Sequence, residues 1–186
     1  MEKLADYSGD LRPDLRMEDF SSEALVRLWR AAGLLYVGVS SIYYTVIREK
    51  LGEDMAREID AEMWKREAPL EMRRMAEAMN IRGNNVEALL KTLQVDIGGG
   101  PIWPEFRCEL KNKNHGYLFI KRCRGIDYWA RHKEKKMQEH GCYLDVVGFQ
   151  HAADCFNPKI KARALKLPPT KGPDENVCEW EFKLEE

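Results

Sequence analysis

The apolar residues of this chain change their repeat once, and that change fixes the class of fold open to it. From Leu25 to Leu93 they recur every three or four residues; from Trp103 onward they alternate, and Gly98-Gly99-Gly100-Pro101 separates the two regimes. A period near 3.6 turns one face of a helix to a core, and a period of two does the same for a strand. The expectation is an α+β fold, with an N-terminal helical layer packed on a small antiparallel sheet from the C-terminal half. Its 186 residues suit a single domain, 1–186. Within it, 1–18 is a poorly ordered or draped lead-in, 19–97 the helical part and 102–184 the sheet-containing part.

Leu25, Leu28, Trp29, Ala32, Leu35, Tyr36, Val39, Ile42, Tyr43, Val46 and Ile47 predict one apolar face of a long helix that ends at Lys50-Leu51-Gly52. A second helix starts at Glu53-Asp54 and turns Met55, Ile59, Met63 and Trp64 inward. Pro69 opens or kinks a further helix that stops between Asn80 and Gly83, and Asn85 caps a short one carrying Val86, Leu89, Leu90 and Leu93. The glycine run lacks the lysine and hydroxyl residue of a phosphate-binding Walker loop and reads as a connector.

Beyond it, Trp103, Phe106, Cys108 and Leu110 alternate with polar residues. After a polar turn, Tyr117 to Cys123 forms the second arm of an antiparallel hairpin. Asp127 is placed to cap a polar helix through Glu139, ended by Gly141, and a further helix spans Tyr143 to Cys155. Ile160 to Leu167 and Val177 to Leu184 are strands joined by a Pro168–Pro173 loop. In the last, Cys178, Trp180 and Phe182 share one face and Glu179 and Glu181 the other.

Charge narrows the partners. Thirty basic against 31 acidic residues leave no net field to draw in a nucleic acid. The start of the chain lacks the basic-then-apolar pattern of a secretory leader. Ala31 to Ile47 is broken by Gly33, Gly38, Ser40 and Ser41, short of a membrane span. The expectation is a cytoplasmic protein that meets a small molecule rather than nucleic acid or membrane, with a homo-oligomer left open. Five cysteines, an odd number without an export signal, point to free thiols.

Every histidine and cysteine falls after residue 107, so Cys/His chemistry would sit in the second half. Cys142, following His140 and placed at an expected helix start, is the preferred nucleophile. His140 or His151 would be the general base, Asp145 its orienting partner, and Cys155 a second thiol one turn from His151. Lys121 and Arg122 would hold a substrate carboxylate, with Trp64 and Tyr43 lining the pocket. This reading needs no cofactor. Two others compete with it: a small-molecule sensor lined by Trp, Tyr and Met, and a metal protein in which Cys123, Cys142, Cys155 and Cys178 hold zinc or an iron–sulfur cluster.

Leu25 to Gly52, Asp60 to Trp64, Ile81 to Leu90, and Leu167-Pro168-Pro169 through Cys178 to Phe182 together resemble an uncharacterised family of small prokaryotic cytosolic proteins. That family is distantly similar to L-2-amino-thiazoline-4-carboxylic acid hydrolase. The resemblance implies an α+β fold and a hydrolase that opens a C–N or C=N bond of a small sulfur- or nitrogen-containing ring, with Cys142 and Cys178 at positions where such proteins place cysteines. A related architecture in small-molecule-binding domains of the vinyl-reductase type implies a binder instead.

Overall fold

The computed structural model describes residues 3–170 and 175–185. A lead-in drapes over the first helix, held by a bridge between Leu4 and Phe20 and a 3-10 turn at Met17–Asp19. Helix α1 is Ser22–Leu51, α2 Glu53–Ala78, α3 Val86–Val95 and the single turn α4 Gly99–Ile102. Strands β1 (Glu105–Asn112) and β2 (His115–Arg122) follow. Then come α5 (Arg124–Arg131), α6 (Lys135–Phe156), β3 (Ile160–Lys166) and β4 (Cys178–Leu184).

The strands form one antiparallel sheet in the order β1-β2-β4-β3. Alternation settles its two faces. Leu118, Ile120, Trp180 and Phe182 are fully buried against Leu89, Leu90 and Leu93 of α3 and Phe149, Ala152 and Ala153 of α6. Tyr117, Phe119, Glu179 and Glu181 occupy the other, partly solvated face, where the Arg107 guanidinium lies 4.4 Å from the Phe119 ring centroid. Helices α3 and α6 thus cover one side of the sheet, α2 packs on α6, and α1 packs on α2. The α+β architecture is the expected one.

Several local expectations are corrected. Pro69 lies inside a continuous α2. The Asp127–Glu139 helix does not exist: α5 begins after Cys123, Lys133 takes φ +56°, and a new helix starts at Lys135 and runs straight through Gly141. A left-handed residue ends a helix wherever it occurs, and here Lys133 does so eight residues before the glycine expected to. Gly141 serves a close approach instead, since a side chain there would run into the Trp129 ring of α5. The connector is partly helical, as α4. Of the Pro168–Pro173 loop, Lys171, Gly172 and Pro173 lie outside the described residues.

The long apolar face of α1 also departs from expectation. Only Ala24, Gly33 and Tyr44 are buried, while Leu35 is 69% exposed and Ile42 65%. Tyr44 reaches Glu53 of α2 and Gly33 lies against Pro101 of α4, while Leu35, Val39, Ile42 and Tyr43 are left uncovered by the rest of the chain. By length and composition α1 is long and apolar enough to cross a membrane, a test that core helices and signal sequences also pass.

Candidate functional site

One end of the sheet gathers most of the sulfur. Cys123 follows β2, Cys178 opens β4 opposite Ile120, and Cys142 and Asp145 lie one turn apart on α6, which crosses that end. Asp145 and the three thiols are within electrostatic reach of one another. Burial pushes the Asp145 carboxyl up to about 7. Among the described residues it makes no hydrogen bond or ion pair, so nothing offsets the loss of water around its charge.

The same surroundings hold the thiols protonated. Burial and then the Asp145 charge raise Cys142 to about 12, and burial raises Cys123 to about 11 against weaker help from the Ile126 amide. Cys178 is pushed up further by burial and by Asp145. Cys142 was expected to be lowered by a helix N-terminus. It sits instead two turns inside α6, where the amides are spent on the helix and no dipole end is near. The indole Nε1–H of the fully buried Trp180 lies beside the Cys178 thiol and works against that rise.

The histidines do not join this cluster. His140 Nε2 lies 2.8 Å from Asp60 Oδ2 on the opposite side of α6, under the Tyr44 ring at 5.5 Å, and this buried pair ties α6 to α2. His115 pairs with Glu181 on the outer sheet face at 2.8 Å, and His132 packs on Tyr128. His151 shares a face with Cys155, but the Cys155 thiol donates to the His151 backbone carbonyl at 3.1 Å rather than engaging the imidazole. In a helix a thiol finds the carbonyl one turn back before it finds a side chain. Neither His140 nor His151 is therefore placed as base to Cys142.

The remaining expected residues scatter. Cys155 is exposed at the far end of α6, so the four-thiolate set shrinks to three. Among the described residues no three His, Cys, Asp or Glu side chains stand close enough to enclose a metal ion as they lie. Lys121 falls on the outer, exposed side of β2. Arg122, one residue from Cys123, is engaged by Glu105 at 3.4 Å and Asp127 at 3.5 Å. Tyr43 is 66% exposed on α1, and Trp64 of α2 packs edge-on against Tyr36 at 6.0 Å.

Two features escaped the sequence. A cleft of about 580 Å³ lies between the ends of α2 and α6, lined by Met72, Arg73, Ile81, Arg82, Cys155 and Phe156 among others. Where α1, α2 and the turn after α3 meet, Glu67, Glu71 and Asp96 cluster with Tyr36. Burial, and then the neighbouring acids, raise the Glu71 carboxyl well above its ordinary range; burial raises Asp96 against the pull of its hydrogen bonds. The signal was faint but present: Glu67 and Glu71 are like charges at i and i+4 on the face of α2 that carries Trp64, and Asp96 immediately precedes the glycines.

Residues 18–184 match a family of unknown function, DUF6125. The chain belongs to this family. No curated protein and no solved structure matches it.

Proposed function

We propose that this member of DUF6125 is a small-molecule hydrolase or ring-opening enzyme whose proton-transfer group is Asp145, acting on a C–N bond of a small carboxylate-bearing substrate. The observation that carries this reading is the unpartnered Asp145 carboxyl among three protonated thiols. Such a carboxyl is half ionised near neutral pH, the condition for a group that must both take and return a proton. The resemblance through Leu167-Pro168-Pro169 and Cys178 to Phe182 supports the C–N bond as target.

The roles in this proposal differ from those anticipated from sequence. Moving a proton from Cys142, at about 12, to Asp145, at about 7, is uphill by several kcal/mol, so a thiolate attack is disfavoured. Water is the better nucleophile. Asp145 takes a proton as the water oxygen bonds to the ring carbon and passes it to the ring nitrogen as the C=N π bond opens; it then moves the new hydroxyl's proton to that nitrogen as the remaining C–N bond breaks and the carbonyl forms, so atoms and charge balance. The thiols furnish the low-polarity wall that keeps the acid near 7.

The test is turnover of 2-amino-thiazoline-4-carboxylate and related cyclic C=N carboxylates. Asp145→Asn should lower kcat by about 10²–10⁴, whereas Cys142→Ala should leave it within tenfold. Full activity in the Asp145 variant would end the reading; loss in the Cys142 variant alone would restore the thiol as nucleophile.

A ligand-binding role is favoured by one specific observation, the α2/α6 cleft with Arg73 and Arg82 in its wall, which suits a small anion. It predicts a carboxylate-dependent rise in Tm that Arg73→Ala abolishes, with no product formed.

A further inference from the structure

Three acids and a phenol that the hydrolytic reading does not use meet at the junction of α1, α2 and the 96–99 turn. Glu67 and Glu71 are one turn apart on α2, Asp96 caps α3, and Tyr36 enters from α1. Asp96 is only 5% exposed. Its Oδ2 accepts the Gly99 amide at 2.6 Å, and Glu71 Oε1 accepts the Gly98 amide at 3.2 Å. A Cβ on Gly98 would lie 3.3 Å from Glu71 Oε1, 3.4 Å from Tyr36 Cε1 and 3.6 Å from Asp96 Oδ2, so both carboxylates and the ring surround one point of the chain that carries no side chain.

Their outer oxygens have nowhere to go. Asp96 Oδ1, Glu67 Oε2 and Tyr36 Oη are sealed from solvent, and the side-chain contacts that do form run only within the set, Tyr36 to Glu67 and Glu71 to Asp96 and Glu67. The charges that act most on Glu71 are Asp96 and Glu67, both acidic. Among the described residues no Lys, Arg or His forms an ion pair with any of the three acids. Buried carboxylate oxygens require a compensating positive charge, which here is a proton retained by the raised Glu71 carboxyl until a cation displaces it.

Donor chemistry identifies the class. Every available atom is a hard oxygen, with no thiol or imidazole in the group, which selects Mg²⁺ or Mn²⁺ over zinc or copper. Such ions keep several waters and need only one or two carboxylates, so two acids on neighbouring segments are enough.

We infer that Glu71 and Asp96 ligate a hard divalent cation of the Mg²⁺/Mn²⁺ type where α1, α2 and the 96–99 turn meet, with Glu67 and Tyr36 bonding its waters. The cation joins three segments of the helical layer and occupies a site distinct from Asp145.

The experiment is a MnCl₂ titration of the chelator-stripped full chain, read by loss of the free Mn²⁺ electron paramagnetic resonance signal and by Tm. One Mn²⁺ per chain is expected, with a rise of several degrees and competition by Mg²⁺. Asp96→Asn and Glu71→Gln should each weaken binding at least tenfold, while the metal-free variants melt at or above the wild type because one of the crowded acids is gone. Should either fail to fold, Tyr36→Phe keeps the ring and should weaken binding severalfold. A wild-type chain that leaves the free Mn²⁺ signal and the Tm unchanged at millimolar Mn²⁺ would overturn the inference, as would binding undiminished in Asp96→Asn and Glu71→Gln.

Discussion

The two halves of the molecule treat an apolar stripe in opposite ways. In β4 the alternating residues Trp180 and Phe182 are sealed between the sheet and α6, whereas in α1 the equally regular Leu28, Leu35, Val39 and Ile42 stand in the open. Regular spacing states that a face is apolar; it does not state that the chain itself covers that face. The acids divide along the same line. In the helical layer acids crowd acids, while at the sheet's end a single acid sits among thiols, so like charge adds to desolvation in one place and desolvation acts alone in the other.

The contrast breaks most visibly in the core. Trp180→Ala should cost about 3–5 kcal/mol, since it empties the space between Phe149 and the sheet. Urea unfolding measures this, and a loss below about 1 kcal/mol would mean that the sheet face is not the core. Next, Asp60→Ala should cost about 2–4 kcal/mol by leaving His140 unpaired beneath Tyr44. The double variant with His140→Phe should recover part of that loss, and equal losses in the single and double variants would show that the pair does not couple α2 to α6.

Asp145 sharpens the comparison through pH. Its folded carboxyl titrates near 7 against an ordinary value of 3.8, so the folded state holds the proton more tightly. Its contribution to stability therefore falls as pH rises from about 4 through 7, then levels off. Asp145→Asn should match the wild type near pH 4 and exceed it by about 1–3 kcal/mol at pH 8. Parallel stability curves for the two proteins would contradict this. The smallest effect belongs to α1: Leu35→Gln and Ile42→Gln should each change unfolding free energy by no more than about 0.5 kcal/mol, because neither side chain is packed within the chain.

Much of the fold was legible because its signals are local. Asn85 caps α3 through its side chain to the Ala88 amide at 3.0 Å, Gly52 takes φ +87° between α1 and α2, and the β1–β2 hairpin and the facing of β4 follow the alternation. The candidate site was legible only in part. Cys123, Cys142, Cys178 and Asp145 were each singled out from sequence and do converge, yet the histidines chosen to serve them do not. Moving the helix boundary from Gly141 to Lys133 carried Cys142 from a helix end to a helix interior and reversed the expected shift of its thiol. Glu67, Glu71 and Asp96 carry little signal in the sequence, because acids on a helix or just past its end ordinarily face water.

By itself the sequence determined the change of period at Gly98–Pro101, and with it helices before a sheet and the inward face of each strand, because steric preference and alternation act between near neighbours. Only the tertiary structure decided which side of α6 met α2 and which met the sheet, and so sent His140 to Asp60 and Asp145 to the thiols. Desolvation and charge proximity depend on what lies across a packed interface, and that is fixed by how distant segments cross rather than by any residue's neighbours in the chain.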